Sequence, residues 1–218
     1  MTTRNFSFAE GEFYHVYNRG VDKRAIFLSD ADKQLFKERM YLANGTSSID
    51  MRAIKRTGKS IYEWDRGEQL VAIGAYCLMP NHFHLLLTPL VEDGVSTYMN
   101  KLTTSYSMYF NKANKRTGAL FENNFKAQHV ESDEHLKYLY SYIHLNPVKL
   151  IQSDWKEVGI MDMYAAYSHS KNYFGSSMSA YTDEKEDLLL DPGSFPEYIN
   201  GKQSHKDELF EWLQYREI

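Results

Sequence analysis

Met79-Pro80-Asn81-His82-Phe83-His84-Leu85-Leu86-Leu87 is a short apolar run that carries two imidazoles two residues apart. Side chains at i and i+2 of a strand share a face. A strand over 82–88 therefore stands His82 beside His84 and turns Phe83, Leu85 and Leu87 the other way, into a core. Two neutral imidazoles held like this are two-thirds of a divalent-metal site. A lone His-x-His pair is more often structural, so its meaning depends on what the rest of the chain places beside it.

Working outward, residues 70–78 are apolar enough for a strand buried on both faces, and Pro80-Asn81 supplies the turn of a hairpin. Upstream, Phe13-Tyr14-His15-Val16-Tyr17 reads as a strand closed by Asn18-Arg19-Gly20. Ser29 or Asp30 then caps a helix over 31–42, with Leu35, Phe36 and Met40 near helical spacing. Residues 44–60 form a polar, basic connection. Downstream, Asp93 or Ser96 caps a helix over about 95–112, where Val95, Met99, Leu102, Tyr106, Tyr109 and Phe110 recur at three- and four-residue steps. Lys112, Lys115 and Arg116 suit the negative end of its dipole, and Gly118 stops it. Residues 125–130 read as a fourth strand. Ser132 or Asp133 caps a helix that ends near Asn146, since Pro147 disfavours helical geometry in the residue before it. The order is β-α-β-β-α-β followed by a helix, an α+β chain with a ferredoxin-like core and an antiparallel sheet. Residues 1–150 make the core domain. Residues 151–218 form a C-terminal extension that packs back over 151–175, is mostly loop over 176–207, and ends in a helix over 206–215.

Hydrophobic content of 43% and charged content of 25% are those of a soluble globular chain. No run approaches a membrane span, no apolar leader is visible, and one cysteine, Cys77, excludes an internal disulfide, so the reading is cytoplasmic. A net charge of −4 argues at first sight against a nucleic-acid partner. The acidity is local: residues 151–218 carry 6 Lys and Arg against 13 Asp and Glu, whereas residues 1–150 carry 19 against 16.

The second chemical feature is the last helix of the core. Tyr142 and Asn146 are four apart and lie one turn from each other on one face, away from the stripe Leu136, Leu139 and Ile143. An amide oxygen is a hard ligand suited to Mg²⁺ or Mn²⁺, and imidazole is acceptable to Mn²⁺. His82, His84 and Asn146 can then make a three-ligand site, with Tyr142 one turn away as a nucleophile. Taken alone, such a pair is more often a packing tyrosine and a C-cap asparagine. No general base stands out: His144 points to a different helical face, and His15, His129 and His135 read as structural or surface residues. Cys77 reads as buried packing.

Together these residues carry a resemblance. Tyr14-His15-Val16-Tyr17-Asn18-Arg19-Gly20, Met79-Pro80-Asn81-His82-Phe83-His84, Leu120-Phe121 with Phe125-Lys126, and Tyr142-Ile143-His144-Leu145-Asn146-Pro147-Val148-Lys149 resemble the single-tyrosine HUH transposases, closest to the REP-associated tyrosine transposase branch. The resemblance covers roughly residues 10–150. It implies that His82 and His84 are the HUH pair, Asn146 the third metal ligand and Tyr142 the nucleophile. It implies attack on a phosphodiester of hairpin-bearing single-stranded DNA, with Mg²⁺ or Mn²⁺, to give a 5′-phosphotyrosine and a free 3′-OH before strand transfer. Candidate DNA contacts are Arg19, Lys23, Arg24, Lys101, Lys112, Lys115, Arg116 and Lys126, although any one of them alone is more often a solvated charge. The chain departs from the family pattern at Asn123-Asn124, where a basic residue is common, and in its acidic extension. Two other functions fit the same residues: a non-catalytic regulator that binds structured single strands, and a metal-dependent phosphodiesterase that uses water. No membrane partner is expected. The protein acts alone or as a homodimer, with the tyrosine in cis or in trans, in the cytoplasm and on the nucleoid when DNA-bound.

Overall fold

Four strands form one antiparallel sheet: β1 (Tyr14–Arg19), β2 (Val71–Met79), β3 (His82–Pro89) and β4 (Lys126–His129), side by side as β2-β3-β1-β4. The computed structural model describes residues 6–183, 185–200 and 209. Helices α1 (Asp30–Ala43), α2 (Met51–Thr57), α3 (Gly94–Ala113) and α4 (Asp133–Leu145) complete the expected β-α-β-β-α-β order with its trailing helix. The short α2 lies inside the basic connection of 44–60. The strand order is that of two interlocked crossovers, each leaving room for one strand of the other.

Alternation along each strand divides the side chains between two layers. Tyr14 and Val16 of β1 and Phe83, Leu85 and Leu87 of β3 face α1 and α3, where they meet Phe36, Met40, Val95, Met99, Leu102 and Tyr106. The opposite face carries His15 and Tyr17 on β1 and His82, His84 and Leu86 on β3. Helix α4 lies across the Leu86 end of that face through Leu136, Leu139, Tyr140 and Ile143. β2 changes parity at a bulge between Ile73 and Ala75. There the Phe195 ring sits where a Cβ on Gly74 would be, 2.7 Å away, so only glycine fits. Past the bulge Tyr76 and Leu78 face α1, while Ala75, Cys77 and Met79 face α4. Burial pushes the Cys77 thiol up, as befits a packing residue.

The helix starts resolve as follows. Ser29 caps α1 in a reciprocal box with Asp32. Ser132 caps α4 through the His135 amide. Asp93 precedes α3 in a left-handed conformation without a side-chain cap bond. After α4 the chain continues as a 3-10 turn, Asn146–Leu150, whose second residue is Pro147. The missing Pro147 amide falls where a helical turn leaves donors unpaired in any case.

One buried amide joins α1 to the sheet. The Asn44 Oδ1 accepts from the amides of Leu70 and Val71 at 3.1 and 3.0 Å, and its Nδ2 donates to the Val71 carbonyl at 2.8 Å. Asn44→Ala would strand the Leu70 and Val71 amides, while the Val71 carbonyl keeps its bond from Gln69 Nε2 at 2.9 Å, and is expected to lower stability by about 2 kcal/mol, read from urea denaturation. An unchanged midpoint would show that the backbone finds other partners there.

Beyond residue 150 the chain carries α5 (Trp155–Val158), α6 (Met163–Lys171), α7 (Met178–Thr182) and α8 (Glu197–Asn200). Between 176 and 200, where the sequence suggests mostly loop, short helical turns alternate with loop, and Tyr181, Leu189, Phe195 and Ile199 are buried. This stretch runs along the outer side of β2. Leu78 N–H donates to the Gly175 carbonyl (2.7 Å), Ser177 N–H to the Tyr76 carbonyl (3.1 Å) and Asp191 N–H to the Ile73 carbonyl (3.0 Å). The Tyr181 hydroxyl donates to the Gly74 carbonyl. The pattern is invisible to periodicity because the contacts are backbone-to-edge rather than facial. The helix expected over 206–215 lies outside the described residues except for Leu209, which is buried. Among the described residues no helix is long and apolar enough to cross a membrane.

Candidate active site

A cavity of about 420 Å³ opens on the sheet face that α4 leaves uncovered; its lining includes His15, His82, His84, Tyr138, Tyr142 and Lys149. The hairpin and the loop after β1 set its floor. Asp22 and Lys23 take left-handed backbone angles in that loop, and the loop is stitched to the turn: Gly20 N–H donates to the Asn81 carbonyl (2.9 Å) and Ile26 N–H to that of Pro80 (2.8 Å). The Asn81 side chain donates to the Lys23 carbonyl at 3.1 Å, which aims its Oδ1 at His82 Nδ1, 2.6 Å away. An amide oxygen only accepts, so His82 carries its proton on Nδ1 and keeps Nε2 as a lone pair.

His84 is buried, and its Nε2 has no hydrogen-bond partner among the described residues. The same is true of Asn146 Oδ1, whose Nδ2 donates to the Tyr142 carbonyl at 3.0 Å. Two polar atoms buried and unsatisfied are costly unless something pairs with them. Two imidazoles lining a polar cavity, with an amide side chain beside one of them, fit a divalent cation of the Mg²⁺ or Mn²⁺ type. Among the described residues no group of three or more His, Cys, Asp or Glu could hold a metal, so a metal here depends on the amide. The Tyr142 ring stands 5.4 Å from that of His84, edge to face, and 6.1 Å from that of His15. Tyr138 stacks on Tyr142 at 6.0 Å, and the Lys149 ammonium lies 5.6 Å from the Tyr142 ring.

Burial empties these imidazoles of charge. The pKa of His82 falls from 6.5 to about 4, by desolvation first and then by the cations Arg19 and Lys149, with the nearby Asn146 side chain opposing. His15 falls to about 4 by desolvation, with Gln128 opposing. His84 lies well below 6.5, by desolvation and then by the neighbouring histidines. Burial also lowers Lys149. The unfolded chain binds the His15 and His82 protons near pH 6.5 and the native chain only near 4. The metal-free protein therefore has this stability in full above pH 6.5 and loses it as pH falls toward 4, by about 3 kcal/mol for each of His15 and His82. The thermal midpoint should fall steadily across that window, and a flat profile would contradict this.

The predicted site residues divide into three groups. Tyr142, His82 and His84 line the cavity together with Arg19 and Lys126, and the Asn146 side chain lies beside His82 without lining it. Lys23 and Arg24 lie on the loop after β1, Arg24 pairing with Asp22 at 3.3 Å. Lys101, Lys112, Lys115 and Arg116 belong to α3 and its C-terminal end, outside the cavity lining. Lys101 donates to the carbonyls of Gly45 and Ser47 and so holds the loop after α1. Arg116 donates to Asn111 Oδ1 at 2.7 Å and to the Ala119 carbonyl. His15 reads from sequence as structural, yet its Nε2 lies 2.8 Å from His84 Nδ1. Alternation along β1 turns His15 away from the core, but only the strand order sets it beside the histidine pair. Lys149 was also missed as a site residue, although it closes the Tyr142–Lys149 motif. His144 binds Ser177 Oγ at 2.8 Å, in the core.

The fold and the cavity define a small α+β domain whose open sheet face sets a tyrosine against a histidine–asparagine cluster. The family model of IS200-like transposases matches residues 36–146, half of the chain, and the protein belongs to that family. Among solved structures it is similar to a REP-associated tyrosine transposase bound to a REP hairpin, with a TM-score of 0.51 and 13% identity over 90% of this chain and 94% of that one. At that identity the likeness is one of fold. A search of curated proteins finds no match.

Proposed function

We propose that this family member is a metal-dependent single-tyrosine nickase and strand transferase of the REP-associated kind, acting on single-stranded DNA that carries hairpins. The observation that carries the reading is the Tyr142 ring 5.4 Å from His84 in one cavity, with His84 Nε2 buried without a partner there and Asn146, whose Oδ1 is likewise unpaired among the described residues, beside His82. Tyr142 Oη attacks a backbone phosphorus and the P–O3′ bond breaks. The phenolic proton is lost and the departing 3′ oxygen gains one, leaving a 5′-phosphotyrosine and a 3′-OH. The link keeps the phosphodiester's energy, so a second 3′-OH reverses the step on a new strand. His82, His84 and Asn146 would hold Mg²⁺ or Mn²⁺, whose chemistry is to draw charge from the phosphate and steady the leaving oxygen. A neutral phenol is a poor nucleophile, and Lys149 places a positive charge beside the ring where phenolate forms. Arg19 and Lys126 at the cavity offer phosphate contacts.

The test is to incubate protein, Mn²⁺ and hairpin-bearing single-stranded DNA labelled on the 3′ side of the nick, then run a denaturing protein gel. Label retained on the protein and mapped to Tyr142 supports the proposal. Cleavage without retained label would replace it with a phosphodiesterase that uses water, and binding with neither would replace it with a regulator.

A further inference from the structure

We propose that His15 is a positioning residue for His84. Its Nε2 accepts the Nδ1–H of His84 and its own Nδ1–H goes to Gln128, leaving Nε2 of His84 as a bare lone pair. The inference rests on the reading above, in which His84 is a metal ligand.

The sheet builds this row. Gln128 on β4 lies directly across from His15 on β1, and His15 is the diagonal neighbour of His84, since His15 pairs with Leu86 and Tyr17 with His84. All three share one face. The two rings lie nearly parallel, 5.0 Å apart and 24° from coplanar, with His15 Nε2 2.8 Å from His84 Nδ1. His15 Nδ1 lies 3.4 Å from Gln128 Oε1.

Two patterns of protons fit the short contact between neutral rings. If His15 donates, its Nδ1 turns a lone pair toward the Gln128 oxygen, and His84 carries its proton on Nε2. That nitrogen is buried without a partner among the described residues, so an unsatisfied donor results. If His84 donates, each donor in the row meets an acceptor in order: His84 Nδ1–H to His15, and His15 Nδ1–H to Gln128. The one unsatisfied group is then the His84 Nε2 lone pair, which a cation satisfies. The second pattern is the stable one and the only one competent to ligate. Outer partners of this kind set ligand tautomer and orientation in metal sites. Asn81 does the same for His82, so each imidazole has its own orienting arm.

The test compares His15→Leu, which removes the acceptor, with His15→Gln, whose amide oxygen reaches about as far as Nε2. Gln128→Leu is a third variant at an exposed position that the fold tolerates. Two quantities are read: Mn²⁺ affinity by calorimetry, and the His84 tautomer in metal-free protein by ¹⁵N NMR. In wild type, His84 should carry its proton on Nδ1. His15→Leu should shift it toward Nε2 and weaken Mn²⁺ binding about 10- to 100-fold. His15→Gln should stay within a few-fold of wild type, and Gln128→Leu should show a smaller shift in the direction of Leu. His84 keeping Nδ1–H in both His15→Leu and Gln128→Leu, with Mn²⁺ affinity unchanged, would overturn the proposal. Should wild type bind no Mn²⁺ at His84, the metal reading fails separately, and the tautomer measurement still decides the role of His15.

Discussion

Tyr142→Phe is expected to eliminate the covalent protein–DNA adduct and to lower strand cleavage by at least about 10⁴-fold, in line with loss of a nucleophile elsewhere. The change removes one oxygen and keeps the ring, so the edge contact with His84 and the stack on Tyr138 persist. Folding and affinity for hairpin-bearing DNA should stay within a few-fold of wild type. The split between lost chemistry and retained binding gives the experiment its force. Residual cleavage above about one part in a hundred would mean that water or another side chain attacks, and that Tyr142 only packs. Its measurement is a single-turnover time course with Mn²⁺, alongside a binding isotherm under the same salt.

The second large effect concerns stability. Phe83→Ala is expected to cost about 4 kcal/mol. Phe83 is fully buried, 5.2 Å from the ring of Phe36 and 5.9 Å from that of Phe121, where the sheet meets α1 and the segment before β4. For a chain of this size that corresponds to a fall of about 10 °C in thermal midpoint, measured by circular dichroism. The residue lies between the two histidines, yet its side chain points to the other layer. A small shift would mean that the core collapses to fill the void.

The strand that carries Phe83 was the most legible part of the sequence. A two-residue period separates His82 and His84 from Phe83, Leu85 and Leu87 whatever their environment. Tyr142 and Asn146 were legible for the same kind of reason, because helical spacing puts them on one face and Pro147 ends the helix. His15 was not, since its role depends on which strand lies next to β1, and strand order is a property of crossovers that a local pattern does not encode. The parity change of β2 at Gly74 was hidden because every residue of that strand is buried, so no alternation marks the bulge. Lys101 looked like a contact for DNA because charge says nothing about direction; its ammonium is taken up by two backbone carbonyls.

The run from Gly175 to Asp191 along β2 bears on how the acidic extension can be studied. The strand at the margin of a sheet offers unpaired backbone groups to any passing chain. Here those groups are occupied by the protein's own C-terminal segment. Cutting the chain near residue 175 would therefore unseal the sheet as well as remove negative charge, and a change in DNA affinity would then have two causes. The effect of the acidity on DNA binding is better asked by neutralising Glu186 and Asp191 in place. A second copy that joins by extending the sheet must enter beyond β4, next to Gln128, and so beside the row that orients His84.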